Sequence, residues 1–100
     1  MTYSVVNRDE GNRGSRTDNI ATLDVTSLDS AGTEPLDPGD VFGLDDGTEL
    51  GVAVRGQEDA TVAIVYDHLN QALKFKNRSD GTDVADNTDV GEVVVEAVGY

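Results

Sequence analysis

The sequence predicts an all-β fold, an antiparallel β-sandwich or small barrel, jelly-roll-like, with an extended N-terminal arm. Three observations predict it. Apolar and polar residues alternate over short runs, turn signals recur about every ten residues, and no stretch sustains a helical period. A chain of 100 residues supports one small domain. Hydrophobic residues make up 37%, and adding the 11 glycines brings the apolar share to about 48%, near that of ordinary folding chains.

Residues 1–19 read as the arm and residues 20–100 as a single β domain. After the short apolar patch TYSVV, residues 7–19 are polar and rich in Asn, Arg and Gly, with nothing that buries a face. The arm is therefore expected to be flexible or docked on a partner. Residues 20–28 are rich in β-branched side chains, with Leu23 and Val25 alternating against polar neighbours. Residues 29–40 hold two glycines and both prolines and read as a loop. Residues 41–44 read as a short strand or a turn of helix, and Asp45-Asp46-Gly47 as a turn. In residues 49–56, Leu50, Val52 and Val54 share a face. Residues 60–67 follow, with Val62, Ile64 and Tyr66 on one face and Ala63 and Val65 on the other, which suggests a central strand covered on both sides. Residues 68–71 close a hairpin, and residues 72–78 return with Leu73 and Phe75 inward and Lys74 and Lys76 outward. Residues 79–89 form a loop around Val84. In the last strand Val93, Val95 and Ala97 share one face, while Glu92, Val94, Glu96 and Val98 share the other. Gly99 and Tyr100 are expected to be held in the sheet.

Twenty acids against seven bases give a net charge of −13. Residues 1–19 balance Arg8, Arg13 and Arg16 against Asp9, Glu10 and Asp18, so the body carries all of the excess. Neighbouring carboxylates about 7 Å apart repel by roughly 0.6 kcal/mol at the dielectric of water. Summed over the body, such repulsion rivals a domain's net stability of about 5–15 kcal/mol. In molar salt the screening length falls to about 3 Å and the repulsion largely vanishes. The acids are dispersed rather than blocked, which points to a salt-adapted surface more than to a stripe imitating nucleic-acid phosphates. Direct nucleic-acid binding is disfavoured, since it needs a basic face.

The residues for most site chemistry are missing from the sequence. There is no Cys, which excludes disulfides, thiol catalysis and thiolate metal sites. No apolar run approaches the length of a membrane span, and no secretory leader is visible. His68 is the only imidazole and falls in a turn beside Asp67. The acidic turns at Asp37 and Asp40, at Asp45, Asp46 and Glu49, and at Asp80, Asp83 and Asp86 suggest cation ligands by composition. None follows the EF-hand spacing. Asn77-Arg78-Ser79 is a formal glycosylation sequon. The expectation is of no catalytic residue, no cofactor and no metal.

Three stretches together resemble a known group. Asp24-Val25-Thr26-Ser27 through Gly32-Thr33-Glu34-Pro35-Leu36-Asp37-Pro38-Gly39-Asp40 to Phe42-Gly43-Leu44 resembles a Thr-rich strand followed by a "GGE-x-Leu-Thr-Pro-x-Asp-x-Gly-Leu" segment. Tyr66-Asp67-His68-Leu69-Asn70-Gln71-Ala72-Leu73-Lys74 resembles a "Tyr-Asp-x-x-Asn-x-x-Leu-Lys" hairpin. Gly81-Thr82-Asp83, or Asn87-Thr88-Asp89-Val90, resembles a "Gly-Thr-Asp-Leu" exit into a Val-rich last strand. This order is similar to small virion structural proteins of tailed viruses, of the capsid-decoration or turret type. Thr33 and Asp37-Pro38 depart from the pattern. The resemblance implies a non-enzymatic β domain in many copies on a capsid surface, made in the host cytoplasm. With the acidity, it implies a haloarchaeal virus.

The expected partners are the chain itself, as a symmetric homo-oligomer with a trimer as first expectation, and the major capsid protein or other virion proteins. No membrane or direct nucleic-acid contact is expected. Arg8, Arg13 and Arg16 in the arm, with Val94, Val98 and Tyr100 on the last strand, are the candidate interface residues. The alternative is a free-standing acidic binding module for carbohydrate, a cation or a DNA-mimic role. The five aromatics, some of them needed for the core, leave little for a sugar-stacking platform.

Overall fold

The computed structural model describes residues 3–13, 16–42 and 51–99, with the backbone path alone for 8–13, 16–18 and 40. Seven strands and one helical turn are described: β1 (Tyr3–Arg13), β2 (Arg16–Val25), β3 (Thr33–Pro35), α1 (Pro38–Phe42), β4 (Gly51–Gln57), β5 (Val62–Asp67), β6 (Ala72–Asn77) and β7 (Gly91–Gly99). They form two antiparallel sheets. One has the order β1-β2-β7-β4 and the other β3-β6-β5. The predicted all-β sandwich is the observed architecture. Its winding is nested, β2 pairing with β7 and β3 with β6, as in a jelly roll with fewer strands.

The core lies between the sheets and follows the two-residue period of the strands. Ala21, Leu23 and Val25 of β2 and Val93, Val95 and Ala97 of β7 are buried on one side. Val62 and Ile64 of β5 and Leu73 and Phe75 of β6 are buried on the other. Val52, Val54 and Tyr66 pack against this cluster from the margin. Leu28, Leu36, Val41, Phe42, Val84 and Val90 close it from the connections. The hairpin register sets Ile64 opposite Phe75 and Tyr66 opposite Leu73, as expected from the sequence. The loop around Val84 is tied in by bonds from Gly32 N to Val84 O at 2.6 Å and from Val84 N to Phe75 O at 3.2 Å. Leu50 and Tyr100 lie outside the described residues.

Four features of the structure differ from the sequence expectations. Tyr3–Arg13, expected within an arm, is a strand that pairs along β2 from Tyr3 opposite Val25 to Arg13 opposite Arg16. The expected boundary between residues 19 and 20 falls inside β2, which pairs with β7 along Thr17–Val25. Asn19 is fully buried, and its side-chain NH2 donates to the Phe42 carbonyl, tying the end of α1 to β2. A polar stretch can form a strand here because β2 supplies its hydrogen bonds, so no apolar face is required.

Residues 60–67 are not central. Among the described strands β5 is an edge of the three-stranded sheet, and Val65 is 60% exposed. Its second apolar face looks outward, where none of the described elements covers it. The loop expected over residues 29–40 contains β3 and opens α1. Asp37 caps that helical turn through a bond from Gly39 N to Asp37 Oδ1 at 2.9 Å, with Pro38 at the first helical position.

Candidate assembly surfaces

The outer face of the four-stranded sheet is built by positions alternating with the core. On β7 these are Glu92, Val94, Glu96 and Val98. Facing them on β2 are Asp24 opposite Glu92, Thr22 opposite Val94 and Ile20 opposite Glu96. On β4, Gly56 stands opposite Val94, Ala53 opposite Glu96 and Gly51 opposite Val98. A glycine therefore flanks each outer valine. An added Cβ at Gly56 would sit 3.8 Å from the Val94 side chain, and at Gly51 it would meet nothing within 4 Å. Val94 and Val98 are partly buried, and Ile20 is 41% exposed. Arg55 pairs with Glu96, with Nε 3.0 Å from Oε1.

Of the six residues singled out from the sequence, Val94 and Val98 are thus brought together on this face. Arg8, Arg13 and Arg16 are placed in β1 and β2, with Arg8 opposite Ala21 and Arg13 opposite Arg16, but their side chains lie outside the description. Tyr100 lies outside it altogether. The sequence reading did not single out Val5 and Val6, 47% and 56% exposed at the register shift of edge strand β1. It also missed Val65 and the 91%-exposed Leu69. The inward-outward alternation pointed to Val65, but only the uncovered sheet makes it a surface residue.

The outer face of the three-stranded sheet carries Thr33 and Pro35 of β3, Ala72, Lys74 and Lys76 of β6, and Ala63, Val65 and Asp67 of β5. Lys76 pairs with Asp83. Lys74 Nζ lies 3.3 Å from Thr33 Oγ1, and no described carboxylate is within ion-pair distance of it. Arg78 follows at the end of the hairpin, its Nε donating to the Val62 carbonyl at 3.2 Å. Three of the four cations of residues 20–100 thus belong to one hairpin.

The acidic turns are occupied by their own backbone. Asp59 Oδ1 accepts from Thr61 N at 2.9 Å and from Thr61 Oγ1 at 2.6 Å, and Asp80 does the same for Thr82 at 3.0 and 2.7 Å. Asp67 accepts from Leu69 N at 3.1 Å, Asn70 N at 3.3 Å and Asn70 Nδ2 at 2.7 Å. The side-chain bonds from Thr61, Asn70 and Thr82 are the largest causes that hold these three carboxyls below the usual range. Asp67 is thereby the cap of the turn that exposes His68. A shallow cleft of about 400 Å³ is lined by Glu58, Asp59, Asp89, Val90 and Gly91. Its carboxylates also serve the backbone, Glu58 accepting from Glu92 N and Asp89 from Gly91 N, both at 2.9 Å. Among the described residues no His, Asp and Glu cluster is arranged to hold a metal ion. Asp45, Asp46 and Glu49 lie outside the description, as does the Asp40 side chain. Asn77 of the sequon donates to Thr82 Oγ1 at 3.2 Å.

The fold defines an all-β sandwich of two antiparallel sheets. No family model, curated protein or solved structure matches the chain.

Proposed function

We propose that this chain is a non-enzymatic virion structural protein that decorates or stabilises the capsid of a halophilic tailed virus, bound to the shell as a symmetric homo-oligomer. The observation that carries the reading is the outer face of the four-stranded sheet. There exposed Ile20 stands opposite Glu96, between the partly buried Val94 and Val98, which are flanked by Gly56 and Gly51. A sandwich that worked alone would gain little from leaving these apolar side chains on its surface, whereas a subunit interface would bury them. The motif order in residues 24–44, 66–74 and 81–90 supports the virion setting, and the charge of −13 supports a saline one. Capping accounts for the described acidic turns, so they do not favour the alternative of a cation-binding module.

Mass spectrometry of density-purified particles from a virus encoding the chain tests the proposal. The expected result is the chain in high copy, in fixed ratio to the major shell protein. Its absence from purified particles, together with failure of the recombinant protein to re-bind stripped particles in molar salt, overturns the reading.

A further inference from the structure

The two outer faces of the sandwich differ in charge balance among the described side chains. On the four-stranded sheet Asp24 stands directly opposite Glu92, a like-charge cross-strand pair of the kind that destabilises a sheet in isolation. Among the described side chains of that face, Asp24, Glu92 and Glu96 stand against Arg55 alone, which is already paired with Glu96. The three-stranded sheet presents the opposite case. Lys74 is held by a threonine hydroxyl in a chain with twenty acids. Lys76, paired with Asp83, and Arg78 stand beside it, Asp67 of the same face acts on Lys74 through its charge, and Val65 on the neighbouring strand lies directly opposite Lys74, 60% exposed.

We infer that copies of this chain associate head to tail, the Lys74–Lys76–Val65 face of one copy packing on the Asp24–Glu92–Val94–Val98 face of the next. The inference rests on the reading of the chain as a self-assembling subunit and specifies which surfaces meet. Charge complementarity selects the second copy as the occupant. Two acidic faces brought together would bury carboxylates without cations, which is costly, whereas Lys74 and Arg78, in no ion pair with a described carboxylate, supply them. The apolar side chains, Val65 on one side and Ile20, Val94 and Val98 on the other, supply the area that leaves water. Such a contact is heterologous, because each copy uses two different surfaces. It gives a ring if the rotation between copies closes and a column if it does not.

Light scattering in about 2 M salt tests the contact, with neighbouring charges screened to a few Å so that only close contacts report. Two charge-reversed proteins are made: Lys74→Glu with Lys76→Glu, and Asp24→Lys with Glu92→Lys. All altered positions lie on outer faces, and the β signal in circular dichroism confirms folding. Val65→Glu serves as a third variant should either pair fail to fold. The wild type is expected to assemble. Each variant alone is expected to weaken association by about tenfold or more and to run as a single chain. Mixed together, the two restore the native contact and add a charge-swapped one, so the mixture is expected to be heavier than either variant alone. A wild type that stays monomeric, variants that keep the wild-type mass, or a mixture no heavier than its components overturns the head-to-tail contact. Particle re-binding is read separately, so loss of the contact with shell binding intact leaves the proposed function standing, and the converse leaves the contact standing.

Discussion

Aspartates in this protein act as turn fasteners as much as surface charges. Asp37, Asp59, Asp67, Asp80 and Asp89 each accept the backbone N–H two residues on, the geometry that short acceptor side chains make available. That use helps to explain why aspartates outnumber glutamates in the sequence. For Asp59, Asp67 and Asp80 the bonds favour the ionised form, so the native state binds their protons more weakly than the unfolded chain does. Their stabilisation is complete above about pH 4 and is lost as pH falls through the lower native values. Protonation also relieves repulsion among the acids, with the opposite sign, so the effect should be isolated in molar salt. There the melting temperature is expected to fall between about pH 5 and about pH 3. The triple variant Asp59→Asn, Asp67→Asn, Asp80→Asn, which keeps one acceptor oxygen in each turn but loses the bond from Asn70 Nδ2, should fall less steeply, and equal slopes would refute the account.

Two glycines respond differently to the same change. Gly91 has φ of +77°, and a Cβ there would lie 2.5 Å from Glu58 Oε1, the carboxylate that holds Glu92 N. Gly91→Ala is expected to cost about 1–2 kcal/mol from the backbone alone. Gly51→Ala, with open space around it, should be close to neutral in thermal unfolding.

At the scale of elements, the hairpin of β5 and β6 anchors one sheet and β2 the other. Phe75 is fully buried opposite Ile64, and Phe75→Ala is expected to cost about 3–5 kcal/mol by denaturant titration. A loss below about 1 kcal/mol would mean that Lys74 and Lys76 point inward, an arrangement burial costs forbid. The first two strands make unequal contributions. Removing residues 1–13 takes away edge strand β1 and leaves the pairing of β2 with β7. Removing residues 1–19 also cuts into β2 and deletes Asn19, with its bond to the Phe42 carbonyl. The longer deletion should therefore lower the melting temperature clearly more than the shorter one. Equal losses would put the structural boundary back at residue 20.

For the whole molecule, charge and fold pull against each other. A small sandwich has limited apolar area with which to oppose thirteen uncompensated negative charges. The domain is expected to be stable above about 1–2 M salt and to lose its β signal on dialysis to low salt, followed by circular dichroism. An unchanged spectrum and melting temperature at about 50 mM salt would remove the saline reading and favour an acidic surface with a direct binding role. Assembly would shift the same balance, because a head-to-tail contact brings Lys74 to Asp24 and Glu92, which face each other across the strands.

What the sequence determined by itself is parity. The alternation assigned Val62, Ile64, Leu73, Phe75, Val93 and Val95 to the core, and the structure buries all of them, while Val52, Val54 and Tyr66, assigned with them, are only partly buried. Turn chemistry at Asp67 and Asn70 was equally legible, since both signals act over two or three residues. Candidate surface positions were half legible for the same reason. Parity put Val94 and Val98 on the second face of their strand, but it could not tell which second faces would be covered. Tertiary structure decided that β5 sits at an edge, that Asn19 is buried, that Thr33–Pro35 pairs with β6 and that Asp24 meets Glu92. Each depends on a partner strand distant in the chain, whose choice and register are set by how the two sheets close over a shared core.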